Sequence, residues 1–255
     1  MTTTTEIIYS FRHPLGKDPS PPAGYTSTGF IFSMLLSKEM KRVAFYVDGY
    51  NLYHAIASIA TKDPSKNYLK WVDLRKLFSF FINPNEEEIS DIFFFTANPT
   101  HTRPDVQKRF YKLTIAYQRF LNIKAIYGKF KAKDEQCKNC SAKWVRHEEK
   151  ESDVNLAVSI VRDAYEKRYD YAYIVTQDSD MAPAVKLAEK VNPGFLRLMT
   201  PPDKQPSREL SRILRKRAAQ IKEVHLQHAL MPAQYTDDSG QVIVTRPTEY
   251  TPPGT

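Results

Sequence analysis

Short apolar runs alternate along the chain with segments whose apolar positions recur at helical spacing. Arg42-Val43-Ala44-Phe45-Tyr46-Val47 is almost continuously apolar or aromatic, as a strand buried on both faces should be, and Asp91-Ile92-Phe93-Phe94-Phe95-Thr96 is a second such run. Further strands are predicted over 123–128, 171–176 and 195–199. Leu52, Ile56 and Ile59 mark a helix over 51–60, and the same periodicity predicts helices over 72–81, 104–121, 152–167, 179–190 and 207–219. Pro104 fits a first helical turn and Ser152 reads as an N-cap. This alternation predicts an α/β fold, with a mostly parallel sheet covered by helices on both faces. No internal repeat is visible.

The flanks differ from this middle. Residues 1–40 and 232–255 are rich in Pro, Thr, Ser and Gly and carry little periodicity, so both are expected to be loosely attached: a flexible N-terminal arm and a disordered C-terminal tail. Met40 stands just before the first strand, which makes 1–39 a candidate over-long start. The organised domain is expected over 41–231.

Charge sharpens that division. Against a net +8 for the 255 residues, segment 41–231 holds 33 basic and 23 acidic residues, a net +10. A basic core admits a polyanionic partner without identifying one. No apolar run approaches the roughly 20 residues of a membrane span. Two cysteines cannot build a disulfide framework, and no N-terminal stretch reads as a secretory signal; the expectation is a cytoplasmic protein with no membrane partner.

In open α/β sheets, sites form at the carboxyl ends of the strands. There the first strand is followed by Asp48-Gly49-Tyr50-Asn51 and the fourth by Thr176-Gln177-Asp178-Ser179-Asp180, while Asp153 lies at the start of the helix over 152–167. Four carboxylates meeting at one sheet edge repel one another unless a hard cation or a proton intervenes, and such an oxygen-rich set suits Mg²⁺ or Mn²⁺. One or two such ions can hold a phosphodiester and activate water. The competing reading is that Asp48 and Ser179 or Asp180 simply cap the helices that follow.

Val43 to Ala55 (V-A-F-Y-V-D-G-Y-N-L-Y-H-A), Glu149 to Ala157 (E-K-E-S-D-V-N-L-A) and Ile174 to Met181 (I-V-T-Q-D-S-D-M) together resemble the NYN domain family, in its LabA-like branch of the PIN-like superfamily. The likeness spans about 43–200. It implies a PIN-like three-layer α/β/α sandwich and metal-dependent ribonuclease chemistry. By position it makes Asp48, Asp153, Asp178 and Asp180 the metal-holding carboxylates, with Asn51 beside Asp48 in the catalytic set. Gln177 stands where the family commonly has Gly. Ser152, Thr176 and Ser179 are expected to support the aspartates or a phosphate.

Two further features flank this set. Cys137-Lys138-Asn139-Cys140 with His147 offers three zinc ligands, one short of a closed site, so a zinc knuckle completed elsewhere, for instance by His101, competes with two ordinary thiols. The 129–148 segment around it is a basic insertion in which Lys129, Lys131, Lys133, Lys143, Arg146 and the adjacent Lys150 accompany Trp144. Cations contact phosphates and aromatic rings stack on unpaired bases, a mixture suited to single-stranded RNA. Arg212 and Arg215 belong to a second basic cluster. His54, His225 and His228 show no partner in the sequence.

The expected activity is a metal-dependent endoribonuclease acting on single-stranded or structured RNA. The alternatives are a non-catalytic RNA-binding or regulatory protein and a nuclease acting on DNA. A homodimer is compatible with the apolar helix ends. An aspartyl-nucleophile phosphatase is disfavoured, since no second aspartate stands two residues after Asp48.

Overall fold

The structure, a computed structural model, describes residues 39–214 and 218–254. Strand β1 (Lys41–Asp48) runs through its centre, and Val43 to Val47 are wholly buried. Alternation along this strand serves two cores at once. Val43, Phe45 and Val47 join one with Leu52, Ile56, Leu77 and Phe78; Ala44 and Tyr46 join another with Leu156, Ile160, Val185 and Leu210.

Helices α1 (Gly49–Lys62), α2 (Leu74–Ser79) and α3 (Pro104–Phe120) cover the first face. Helices α4 (Ser152–Tyr165), α5 (Ala182–Val191) and α6 (Arg208–Leu214) cover the second. The sheet between them also contains β2 (Glu87–Ala97), β3 (Lys124–Gln136), β4 (Lys143–Lys150), β5 (Tyr171–Val175), β6 (Leu196–Thr200) and β7 (Ala218–Gln220). Its order is β4-β3-β2-β1-β5-β6-β7, all pairs parallel except β3 with β4. This is the three-layer α/β/α arrangement, mostly parallel, that the sequence predicts.

The order fixes where a site can form. From β1 the chain winds outward through β2 to β3, then returns to lay β5 on the other side of β1 and winds outward again. The β1–β5 seam is therefore the point where winding reverses, and connections diverge from a crevice above the carboxyl ends of these strands. Two glycines permit close packing there. A Cβ on Gly49 would lie 2.6 Å from the Phe95 carbonyl oxygen, and one on Gly128 would lie 2.6 Å from Ser152 Oγ. Both α1 and the start of α4 thus press against the sheet at positions with no room for a side chain.

The basic insertion over 129–148 is an antiparallel ribbon, in which β3 continues to Gln136 and pairs with β4. Two expectations are revised. Ser152 is the first helical residue rather than the N-cap; Glu151 holds that place in a left-handed backbone (φ 77°) without a side-chain capping bond. Residues 232–254 are not a disordered tail. Strands β8 (Gln234–Thr236) and β9 (Val242–Thr245) form a hairpin, Tyr235 stacks on Phe120 at 4.7 Å, and Val244 and Tyr250 are buried against the first face. The Trp71 indole N–H donates to the Pro232 carbonyl at 2.9 Å. A few well-placed apolar residues suffice to dock a Pro- and Thr-rich segment that lacks periodicity. The expected arm over 1–40 lies outside the described residues except Glu39 and Met40.

No helix among the described residues is long and apolar enough to cross a membrane. Removing residues 232–254 should expose Trp71 and Phe120 and lower the melting temperature by about 5 °C or more, since roughly 1 kcal/mol shifts a domain this size by 2–4 °C. An unchanged melting curve for that truncation would show the hairpin contributes nothing to the core.

Candidate active site

Asp48 ends β1 and is 8% exposed. Its oxygens have separate partners. Oδ1 accepts the Asn51 backbone N–H at 2.9 Å, capping α1, and Oδ2 accepts the Thr176 hydroxyl at 3.0 Å across the β1–β5 seam. Thr176 is wholly buried, and its Oγ1 in turn accepts the Asp178 backbone N–H at 3.0 Å. Asp178 accepts the Asp180 N–H at 2.9 Å and caps the short 3₁₀ turn Ser179–Met181. Capping and site formation are thus compatible: one oxygen of Asp48 caps the start of α1 while the other ties the two strand ends together.

The remaining acids arrive from the ribbon and α4. Ser152 Oγ donates to the Thr96 carbonyl at 3.2 Å and to the Glu149 carboxylate, which pins the start of α4 to the ends of β2 and β4. Burial raises the Asp48 carboxyl to about 6; its two hydrogen bonds oppose that rise, and the charges of Asp153 and Glu149 add to it. Asp153 is raised by partial burial and then by Asp178 and Asp180. Glu149 is raised by burial and Asp153, against the hydrogen bond from Ser152. Asp153 is therefore charge-coupled both to Asp48 and to Asp178 and Asp180, and Glu149, coupled to Asp48 and Asp153, is a fifth acid absent from the sequence prediction.

These groups offer hard oxygen donors of the kind Mg²⁺ and Mn²⁺ prefer. The Asn51 side-chain oxygen is buried without a hydrogen-bond partner among the described residues, an open acceptor beside Asp48. By donor chemistry and mutual repulsion the set fits a divalent cation. The side chains are not drawn into a cage: among the described residues no three His, Cys, Asp or Glu groups stand close enough to hold an ion as they lie. Ser179 and Asp180 are exposed.

The β3–β4 register sorts the basic residues. Lys129, Lys131, Lys133, Arg146, Lys150 and Trp144 fall on one side of the ribbon, because cross-strand partners share a face and neighbours alternate. Lys129 pairs with Glu151, Lys150 with Glu148 at 3.0 Å, and Lys133 bridges Glu135 and Glu148 at 3.3 and 3.4 Å. Exposed pairs of this type contribute little and exchange readily for a phosphate. Trp144 is 50% exposed. Lys143 lies on the opposite face, opposite Gln136. Arg212 is exposed on α6, which packs beside the Ser179–Met181 turn, and Arg215 lies outside the described residues.

The zinc grouping is not assembled. Cys137 and Cys140 are free thiols at the ribbon tip, where Ser141 N–H donates to the Cys137 carbonyl at 2.9 Å. Backbone N–H groups of Cys140 and Asn139 hold the Cys137 thiol below its usual range. His147 sits opposite Ala132, five residues from Cys137 along β3, a separation of roughly 15 Å. It stacks instead on His101, ring centres 4.4 Å apart. A strand holds residues ten apart far from each other, whereas sequence spacing alone made them look adjacent.

The raised Asp48 carboxyl costs stability wherever the folded chain must ionise it. The cost is absent below about pH 4, where both folded and unfolded forms are protonated, grows as the unfolded form ionises, and is complete above about pH 6. A rise from 3.8 to about 6 corresponds to a penalty on the order of 3 kcal/mol. Asp48→Asn, which keeps a capping oxygen, should therefore raise the melting temperature at pH 7.5, with the gain shrinking toward pH 4. Thermal melts of both proteins across that range check it; a pH-independent difference contradicts it.

Comparison with known proteins places this geometry in a family. A 6-hydroxy-3-succinoylpyridine 3-monooxygenase from Pseudomonas putida is 28% identical over 186 residues, 60% of this chain and 57% of the relative. The chain thus spans a little over half of that relative's length. A crystal structure of a protein of unknown function from Vibrio parahaemolyticus aligns with a TM-score of 0.48 at 15% identity, covering 76% of this chain and 99% of that one. The NYN domain model matches residues 42–212, which include β1, the ribbon, α4 and the Asp178 turn, and the chain accordingly belongs to the NYN domain family.

Proposed function

We propose that this protein is a metal-dependent endoribonuclease of the LabA-like branch. The observation that carries the reading is the seam itself: a buried carboxylate, Asp48, hydrogen-bonded through Thr176 to the Asp178 turn and charge-coupled to Asp153. Membership of a family within the PIN-like nuclease superfamily supports it. Asp48, Asp153, Asp178 and Asp180 would hold Mg²⁺ or Mn²⁺. A divalent ion bound there supplies a Lewis acid for the phosphodiester and lowers the pKa of water.

The chain's own groups supply the rest. Thr176 holds Asp48 in one orientation, and the open Asn51 oxygen offers an acceptor to a substrate hydroxyl or an ordered water. Glu149, whose carboxyl burial raises, offers a proton acceptor beside Asp153. The basic side of the ribbon follows a backbone, and exposed Trp144 offers a stacking surface to an unpaired base. A second reading, a small-molecule enzyme, is favoured by the monooxygenase name of the Pseudomonas relative.

Purified protein incubated with single-stranded RNA and, separately, DNA should cleave RNA in Mn²⁺, and Asp48→Asn and Asp178→Asn should each lose on the order of 100-fold in rate, the upper end of what removing even a group that supports a metal ligand costs. Equal cleavage by all three proteins would exclude the mechanism, and RNA retention without cleavage would leave a binding protein. Trp144→Ala should weaken single-stranded RNA binding by about 1–3 kcal/mol, the value of one stacked base. Gel-shift titration measures this, and unchanged affinity would remove the ribbon from the interface.

A further inference from the structure

Beside the acidic seam, on the first face of the sheet, an open-mouthed cavity of about 290 Å³ has no part in the chemistry above. Its floor is apolar: Leu52, Phe94 and Tyr117 are buried. Ten of its twenty-two lining residues carry aromatic rings, among them Tyr50, Tyr53 and Phe110. It shares a wall with the seam, since Gly49 follows Asp48 and the Thr96 carbonyl accepts the Ser152 hydroxyl. The volume holds a ligand of one or two fused rings, at the small end of natural pockets.

Two cations line it, and they differ. Arg109 is neutralised by Asp105 at 3.0 Å and Glu249 at 2.7 Å. Lys70, at the end of the 3₁₀ helix Pro64–Lys70, is half-buried, lies 5.8 Å from the Tyr53 ring centre, and forms no ion pair with a carboxylate among the described residues. Burial and the nearby Arg109 hold its ammonium below the usual lysine range. A cation beside an apolar floor without an anionic partner is unfavourable unless a ligand supplies the anion. His54, His101 and His147 add ring nitrogens that donate or accept hydrogen bonds at the wall. Aromatic walls favour a flat ring, and polar nitrogens favour a heteroatom on it.

We propose that this cavity binds a small planar heteroaromatic ring carrying an anionic group, with the ring among the Tyr53, Phe110 and histidine walls and the anion at Lys70. A free aromatic acid and a nucleotide share that chemistry. The inference does not rest on nuclease activity, because none of the seam aspartates lines the cavity.

Calorimetric titration of the full chain tests it with pyridine-3-carboxylate, a nucleoside 5′-monophosphate and, as a non-planar anion, cyclohexanecarboxylate. At least one planar anion should bind at a single site, and the non-planar one at least about 10-fold more weakly. Lys70→Met keeps the side-chain stem and should weaken the planar anion by roughly 10- to 100-fold, the range for a charged hydrogen bond, while leaving neutral pyridine-3-carboxamide unaffected. Melting curves of Lys70→Met confirm the fold. Asp178→Asn should bind as the unaltered chain does, so failure of the nuclease reading leaves this result standing. Binding of the monophosphate alone assigns the ring as a nucleobase, and binding of the pyridine alone assigns a free aromatic acid. Absence of binding by either planar anion, or equal affinity in Lys70→Met, overturns the proposal.

Discussion

Asp48 ends the strand with which both halves of the sheet pair, and its two oxygens are claimed by different elements: one by the first turn of α1, the other by Thr176 at the end of β5. The two residues of that second bond stand 128 positions apart. A carboxylate in so dry a position persists only if its hydrogen-bond partners are held rigidly, because an unpaired buried charge costs several kcal/mol. The glycines at 49 and 128, the packing of Val43 to Val47 into two cores and the anchoring of Ser152 on Thr96 all serve that requirement. The seam is where the winding of the chain reverses, so the topology opens a crevice just where the acids gather.

Charge around the seam is segregated. Five carboxylates come from β1, β4, α4 and the 3₁₀ turn after β5, linked by charge through Asp48 and Asp153, and burial raises three of them. Lys129, Lys131, Lys133, Arg146 and Lys150 lie on the face opposite the one carrying Glu149, which Lys143 shares. A polyanion drawn by the overall positive field would thus meet lysines and Trp144 along the ribbon and acids at its base. Salt screens the first attraction over about 10 Å but acts much less on groups as sheltered as Asp48.

Much of this was legible in advance, for identifiable reasons. Runs such as Val43 to Val47 and Ile92 to Phe95 leave little choice but a doubly covered strand, and polar residues just after such runs lie at the carboxyl edge in any parallel sheet. That is why the sheet-edge positions of Asp48, Asp178 and Asp180 are legible in the sequence. Glu149 is not, because Glu148, Glu149 and Glu151 are equivalent in sequence and only the ribbon register turns one of them toward Ser152. The zinc grouping failed for the same reason in reverse: His147 is near Cys140 in number but is carried away along an extended strand. The C-terminal hairpin was missed because its docking depends on Tyr235, Val244 and Tyr250 meeting Phe120 and Trp71, with no periodicity to announce it.

Local chemistry determined the strands, the helices, the sheet-edge aspartates and the family motifs, since each depends on residues within a few positions of one another. Tertiary structure alone decided that Asp48 is buried and raised, that Thr176 joins it to Asp178, that Lys129, Lys131, Lys133 and Lys150 share one side of a ribbon, and that Lys70 faces a cavity without a carboxylate partner among the described residues. Protonation, burial and pairing depend on distances through space between residues far apart in the chain, and spacing along the sequence carries no measure of those distances.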